Sequence, residues 1–322
     1  MKKRLMEPEY NREGDMPTDG HGAEIAAVIF ASTICAIVAY VFGFGHNVQF
    51  EKPINGLSVA NSKTIIQKLD PFITVSIQAK AAYVWDVRNQ KVLFAKNADD
   101  ILPLASITKI MTADVASELL APTSTISINQ DALLQDGDNG LLLNERWTFR
   151  NLLDFTLAVS SNDGAFAIAS AASPDFVGKM NEKAQALGLT SMHFYNPTGL
   201  DESLSQSGAY SSATDLAKLF VYTLQNHPEI FNATRYARFT TSSIDGFNHT
   251  AINTDEEINN IPGIIGSKTG YTDLAGGNLA VVYDASINYP IVVVVLGSTY
   301  DGRFSDVTTL IQASNQVLSL QK

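Results

Sequence analysis

Apolar positions follow three patterns along the chain, and each predicts a different element. The first is an unbroken run from Ile25 to Phe44, 20 residues without a charge. At about 1.5 Å per helical residue such a run spans roughly 30 Å of hydrocarbon. Being apolar on every face, it suits lipid better than a protein core. A transmembrane anchor is expected over 25–45. A leader of 24 residues and the absence of a small-x-small exit at Tyr40-Val41-Phe42 argue against a cleavable signal. Lys2, Lys3, Arg4 and Arg12 precede the run and only Lys52 closely follows it. Residues 1–24 are therefore expected in the cytoplasm and the remainder outside it. Residues 46–62 show no sustained period and read as a linker, which leaves 63–322 as one domain.

The second pattern is the strand. Tyr83 to Val87 and Lys91 to Phe94 flank Arg88-Asn89-Gln90 as a hairpin, and Asn278 to Tyr283 and Ile291 to Leu296 are β-branched runs joined by Asp284 to Tyr289. The third is helical spacing. It covers Ser106 to Leu120, Phe149 to Val159, Asp163 to Ala172, Asp175 to Leu187 up to Gly188, Ala213 to Gln225 capped by Ser211 or Ser212, and Phe304 to Leu320. Strands at both ends around a helical middle predict an α/β (α+β) fold: an antiparallel sheet flanked by helices, with an all-helical subdomain inserted.

Charge and composition narrow the function. Lys plus Arg total 22 against 33 Asp plus Glu, a net charge of -11, which argues against nucleic acid as a partner. The single cysteine, Cys35, excludes an intrachain disulfide and a cysteine metal cluster. None of the five histidines forms an H-x-x-x-H or H-E-x-x-H pair, so no metal and no cofactor is expected.

The chemistry sits in three triplets, S-x-x-K, S-x-N and K-T-G, in that order. Singly they are weak. S-x-x-K occurs at Ser106–Lys109 and again at Ser319–Lys322, and S-x-N occurs at Ser127, Ser160 and Ser286. Only Lys268-Thr269-Gly270 is unique. A frayed end cannot hold a site, and Ser127 and Ser286 read as turn or strand-flank residues, so Ser106 and Ser160 are the candidates. On a helix, i and i+3 share a face, which puts the Ser106 hydroxyl within reach of the Lys109 amine. That amine becomes a base when desolvation or a second cation, such as Lys268, lowers its pKa. Taken alone, the pair also fits a helix cap beside a solvated lysine.

Ser160-Ser161-Asn162 falls between two helices, where Ser160 suits a proton relay and Asn162 a two-sided contact to a substrate amide; helix capping is the plain alternative. Lys268, Thr269 and Gly270 are expected on an edge strand, the first two receiving a carboxylate and the glycine admitting a substrate backbone. Backbone N–H groups of Ser106 and Tyr271 would form an oxyanion hole.

The set resembles the serine penicillin-recognising enzymes, and among them the low-molecular-mass D-alanyl-D-alanine carboxypeptidases of the S11 type. The likeness extends beyond the triplets to Leu102–Ala113, Leu187-Gly188-Leu189 with Asn196–Leu200, Tyr210–Leu216, and Tyr271-Thr272-Asp273 with Ala275-Gly276. It covers about residues 75–320. It implies a β-lactamase/transpeptidase-like fold over the domain at 63–322. It also implies Ser106 as the acylated nucleophile, Lys109 as general base and Ser160 as relay. Asn162, Lys268, Thr269, Gly270, Tyr271 and, from Asp301-Gly302-Arg303, Arg303 would bind substrate, Arg303 holding the terminal carboxylate. One departure is Ser161, where the family commonly has glycine.

The implied reaction removes the terminal D-Ala from peptidoglycan pentapeptides, with β-lactam antibiotics as inhibitors, in a single-pass protein of the cell membrane. Two alternatives use the same residues: a D,D-endopeptidase of cross-links and a non-turnover penicillin-binding sensor. A class A β-lactamase would need a deacylating glutamate, and no E-x-x-L-N segment is present.

Overall fold

The structure, a computed structural model, describes residues 70–320. The apolar run at 25–45 and the linker at 46–62 lie outside them. Among the described residues no helix is long and apolar enough to cross a membrane.

Five strands build the main sheet: β1 (Ala81–Asp86), β2 (Lys91–Lys96), β3 (Ile264–Thr272), β4 (Gly276–Asp284) and β5 (Pro290–Ser298). They are ordered β3-β4-β5-β1-β2, and every neighbouring pair is antiparallel. The K-T-G strand β3 is thus an edge, as its sequence suggested. Both faces of the sheet are covered. Ala82, Val84, Leu279, Val281, Val293 and Val295 pack with Phe304, Val307 and Leu310 of helix α6 (Gly302–Leu320); Ala280, Val282, Val292 and Val294 face the helical layer. Double coverage is why β5 reads as a continuous apolar run rather than an alternation.

That layer holds α1 (Lys109–Leu119), α2 (Phe149–Val159), α3 (Asn162–Ala172), α4 (Phe176–Ala186) and α5 (Ala213–Asn226). Every residue of α1 from Lys109 to Ala116 is buried, because α2, α3, α4 and α5 all contact it. Thr148, Ser161 and Ser212 cap α2, α3 and α5 by accepting from the N–H of Asn151, Gly164 and Asp215. Ser127 ends a short strand, Thr125–Ser127, and Ser286 lies in the β4–β5 turn.

Two features differ from expectation. Ser106 opens no α-helix: Ala105–Thr108 is a 3-10 turn, and α1 starts at Lys109. A two-stranded ribbon, Arg238–Ser242 with Asn248–Ile252, also precedes β3.

Candidate active site

The nucleophile turn begins with a strained residue. Ala105 has φ 49°, a region that costs a residue with a Cβ about 1 kcal/mol or more. Surrounding groups hold it there. A Cβ on Gly199 would sit 1.9 Å from Ala105 O, and one on Gly270 would sit 2.7 Å from Leu104 O and 3.2 Å from Ala105 Cβ. The glycine of K-T-G is therefore required by the nucleophile turn itself, whereas the sequence suggested only room for substrate. Asn278, fully buried on β4, donates to Pro103 O at 2.9 Å and Leu104 O at 3.1 Å, and its Oδ1 accepts from Gly297 N at 2.7 Å.

In a 3-10 turn, residues i and i+3 eclipse, so the change from α to 3-10 brings Ser106 and Lys109 closer to one direction. Lys109 Nζ lies 2.8 Å from Ser106 Oγ. Its other two partners are pure acceptors: Asn162 Oδ1 and Thr198 O, each at 2.7 Å. A neutral amine has two N–H donors and one lone pair. With both donors directed to those carbonyl oxygens, the lone pair faces the one partner that can release a proton, the Ser106 hydroxyl. The neutral form is accessible because burial, then the charge of Lys268, pull the pKa of Lys109 well below that of an ordinary lysine.

Lys268 is itself 1 % exposed and donates to Ser160 Oγ at 2.8 Å and Thr269 O at 2.9 Å. Burial and the nearby charge of Arg303 lower its pKa to about 7, against an opposing pull from Asp255. Arg303, the second residue of α6, passes behind β3, where Nη1 donates to Gly270 O at 3.1 Å and its Cζ stacks 4.2 Å over the Tyr300 ring. Tyr271, half-exposed, meets Tyr300 edge-on at 5.1 Å. Lys268 and Arg303 thus gather in a protein of net charge -11, with buried Asp255 facing both. Such a pocket focuses a positive potential suited to a carboxylate.

The S-x-N turn holds two surprises. Ser160 closes α2 in the left-handed conformation, φ 62° and ψ 34°, while Ser161 is extended at φ -60° and fully buried. The middle position thus makes no demand for glycine. Asn162 is engaged at both ends, accepting from Lys109 and donating through Nδ2 to Asp136 O at 2.6 Å. Its amide holds the base amine, where the sequence suggested a contact to substrate.

The structure therefore brings Ser106, Lys109, Ser160, Asn162, Lys268, Thr269 and Gly270 together, with Arg303 behind the strand and Tyr271 at its end. The sequence reading missed Thr198, Asn278 and Asp136. The segment Asn196–Leu200 drew notice only as a family resemblance, and the amide contacts to Asp136 and from Asn278 leave no sequence signal.

Comparison with known proteins gives a family and a fold. The family model for D-alanyl-D-alanine carboxypeptidase, peptidase S11, matches residues 66–299. D-alanyl-D-alanine carboxypeptidase DacA of Haemophilus influenzae is 31% identical over 249 residues, 73% of this chain and 61% of that protein. The chain thus spans about three-fifths of that relative's length. The crystal structure of D-alanyl-D-alanine carboxypeptidase from Mycobacterium tuberculosis superposes with a TM-score of 0.68 at 28% identity, over 74% of this chain and 92% of the other. Penicillin-binding protein D2 of Listeria monocytogenes, in its cefotaxime-bound form, gives a TM-score of 0.65 at 26% identity, over 74% and 98%.

Proposed function

The chain belongs to the D-alanyl-D-alanine carboxypeptidase family, peptidase S11, and from that premise we propose that it removes the terminal D-Ala of peptidoglycan stem peptides through an acyl-enzyme on Ser106. The observation that carries this reading is the buried amine of Lys109, 2.8 Å from Ser106 Oγ and held by two acceptors that direct its lone pair at the hydroxyl.

Lys109 takes the Ser106 proton as Oγ attacks the penultimate carbonyl. The oxyanion that forms accepts from the backbone N–H groups of Ser106 and Tyr271. Ser160, hydrogen-bonded to Lys268, relays the proton taken up by Lys109 to the departing amine of D-alanine, which returns Lys109 to its neutral form. The substrate's terminal carboxylate is received by Lys268, Thr269 and Arg303 beside Gly270. Water then releases the shortened peptide, with Lys109 again as base. Asn162 serves by holding that base. β-Lactams, which carry an acyl bond and a carboxylate, occupy the same pocket; the Listeria relative's cefotaxime complex supports this.

Ile25–Phe44 anchors the domain to the membrane with the N-terminus cytoplasmic, on the strength of its 20 uncharged residues and the basic residues before it. Extraction of the full chain from membranes by carbonate would contradict that anchor.

The test of the activity is intact-mass analysis with benzylpenicillin, followed by D-alanine release from diacetyl-Lys-D-Ala-D-Ala. A stoichiometric adduct absent in Ser106→Ala is the expected result, and an unmodified wild type refutes the reading. Cleavage of a cross-linked peptide dimer in preference to the tripeptide would make it an endopeptidase.

A further inference from the structure

Thr254 belongs to none of the three triplets, yet it joins two of them. It follows the Asn248–Ile252 strand and is half-buried. Its backbone N–H donates to Ala158 O at 3.1 Å, two residues before Ser160. Its Oγ1 lies 2.5 Å from Thr269 Oγ1, one residue after Lys268. This link runs beside the Lys268–Ser160 bond and ties the same two elements. The turn that presents it is firmly held: Asn253 donates to Thr234 O at 2.8 Å and Tyr236 O at 3.1 Å, and its Oδ1 accepts from Asp255 N at 2.9 Å.

Two hydroxyls at this distance share one proton along their axis, so one donates and the other accepts. A carboxylate is acceptor-only, which settles the order once substrate is bound. Thr269 must donate to the carboxylate, and Thr254 must then donate to Thr269. We propose that Thr254 is a positioning residue for the substrate carboxylate, its hydroxyl fixing the rotor of Thr269 so that the Thr269 proton points into the pocket. A chain of two hydroxyls also polarises the outer hydrogen bond. The inference rests on the proposed function, since it takes the carboxylate pocket as given.

The experiment compares acylation of the full chain by benzylpenicillin and by its methyl ester, in which the carboxylate is masked. Thr254→Val, close in shape and without the hydroxyl, is expected to lower the second-order rate with the acid by about five- to tenfold, the loss of one hydrogen bond to a charged group. The ester rate should stay within about twofold, so the acid-to-ester ratio falls. Thr254→Ser should restore the ratio. In a Thr269→Val background, Thr254→Val should have no further effect.

The ratio is taken within one preparation and does not depend on how much of it is folded; Thr254→Ala gives the same readout should the valine variant be poorly folded. An unchanged ratio, or equal losses with acid and ester, overturns the inference while leaving the acyl-enzyme intact. A wild type that benzylpenicillin does not acylate at Ser106 overturns the proposed function, and this inference with it.

Discussion

Lys268 Nζ and Ser160 Oγ stand 2.8 Å apart, one on the edge strand of the sheet and the other in the turn between α2 and α3. This bond spans the cleft from the sheet to the helices, and the lysine in it is buried with a pKa near 7. Its charge therefore changes close to neutral pH.

The first prediction concerns pH. Capture of a carboxylate needs Lys268 charged, so kcat/KM should fall as pH rises through about 7, the value for the free enzyme. Proton abstraction needs Lys109 neutral, so the rate should also fall on the acid side. Lys268 faces Arg303, Asp255 and Lys109, and the two lysines titrate as a coupled pair. Lys268→Arg keeps its charge at every accessible pH. A pH profile of benzylpenicillin acylation should show the alkaline limb displaced in this variant and the acid limb kept. An unchanged alkaline limb would remove Lys268 from the role.

A second prediction follows for stability. The folded pKa of Lys268 is depressed, so between about 7 and the unfolded lysine value the unfolded chain binds more protons than the folded one. Stability from this group is greatest above the unfolded value and is lost as pH falls towards 7. Lys268→Met should therefore melt higher than wild type at pH 7, by about 2–4 °C for each kcal/mol relieved, and the gap should close towards pH 10. Calorimetry at the two pH values decides the sign.

Asn162 supplies a third. Asn162→Asp places a negative charge where Lys109 Nζ now finds a neutral oxygen at 2.7 Å. The charged lysine is then favoured, its pKa rises, and the acid limb of acylation should move to higher pH. Were Asn162 only a substrate ligand, the variant would change KM and leave the limb in place.

Removal of the base itself gives the fourth. Lys109→Met should lower the acylation rate by about 10²–10⁴, the usual span for a general base. Quenched-flow mass analysis measures it directly.

Gly270→Ala gives the fifth. The added methyl meets Leu104 O at 2.7 Å, between backbone segments that have little room to move. A loss of about 1–3 kcal/mol is expected, read as a lower Tm together with slower acylation, because the methyl presses on the turn carrying Ser106.

Most of the sheet and the large helices were legible because their apolar periods are strong: Phe149–Val159 and Ile291–Leu296 sit within elements found at nearly those bounds. The Arg238–Ser242 ribbon was not, since Arg-Phe-Thr-Thr-Ser and Asn-His-Thr-Ala-Ile offer only Phe239, His249 and Ala251 to the interior, too few to show an alternation. Within the site, residue types at fixed spacing showed the cations and hydroxyls. Their hydrogen-bond order depended on folding. The Asn162 contact to Lys109 joins residues 53 positions apart, and Asn278 reached Leu104 from 174 positions away, contacts that no local pattern records.

Asn278 has a mechanical consequence. It fastens the two carbonyls ahead of Ala105 to β4, and through Gly297 to β5 as well. The attacking oxygen is thereby referenced to the central sheet through Asn278, which lies opposite Gly270 on the neighbouring strand. Flexing of the sheet therefore carries the nucleophile turn and the K-T-G strand together, so their spacing survives motions of the whole layer.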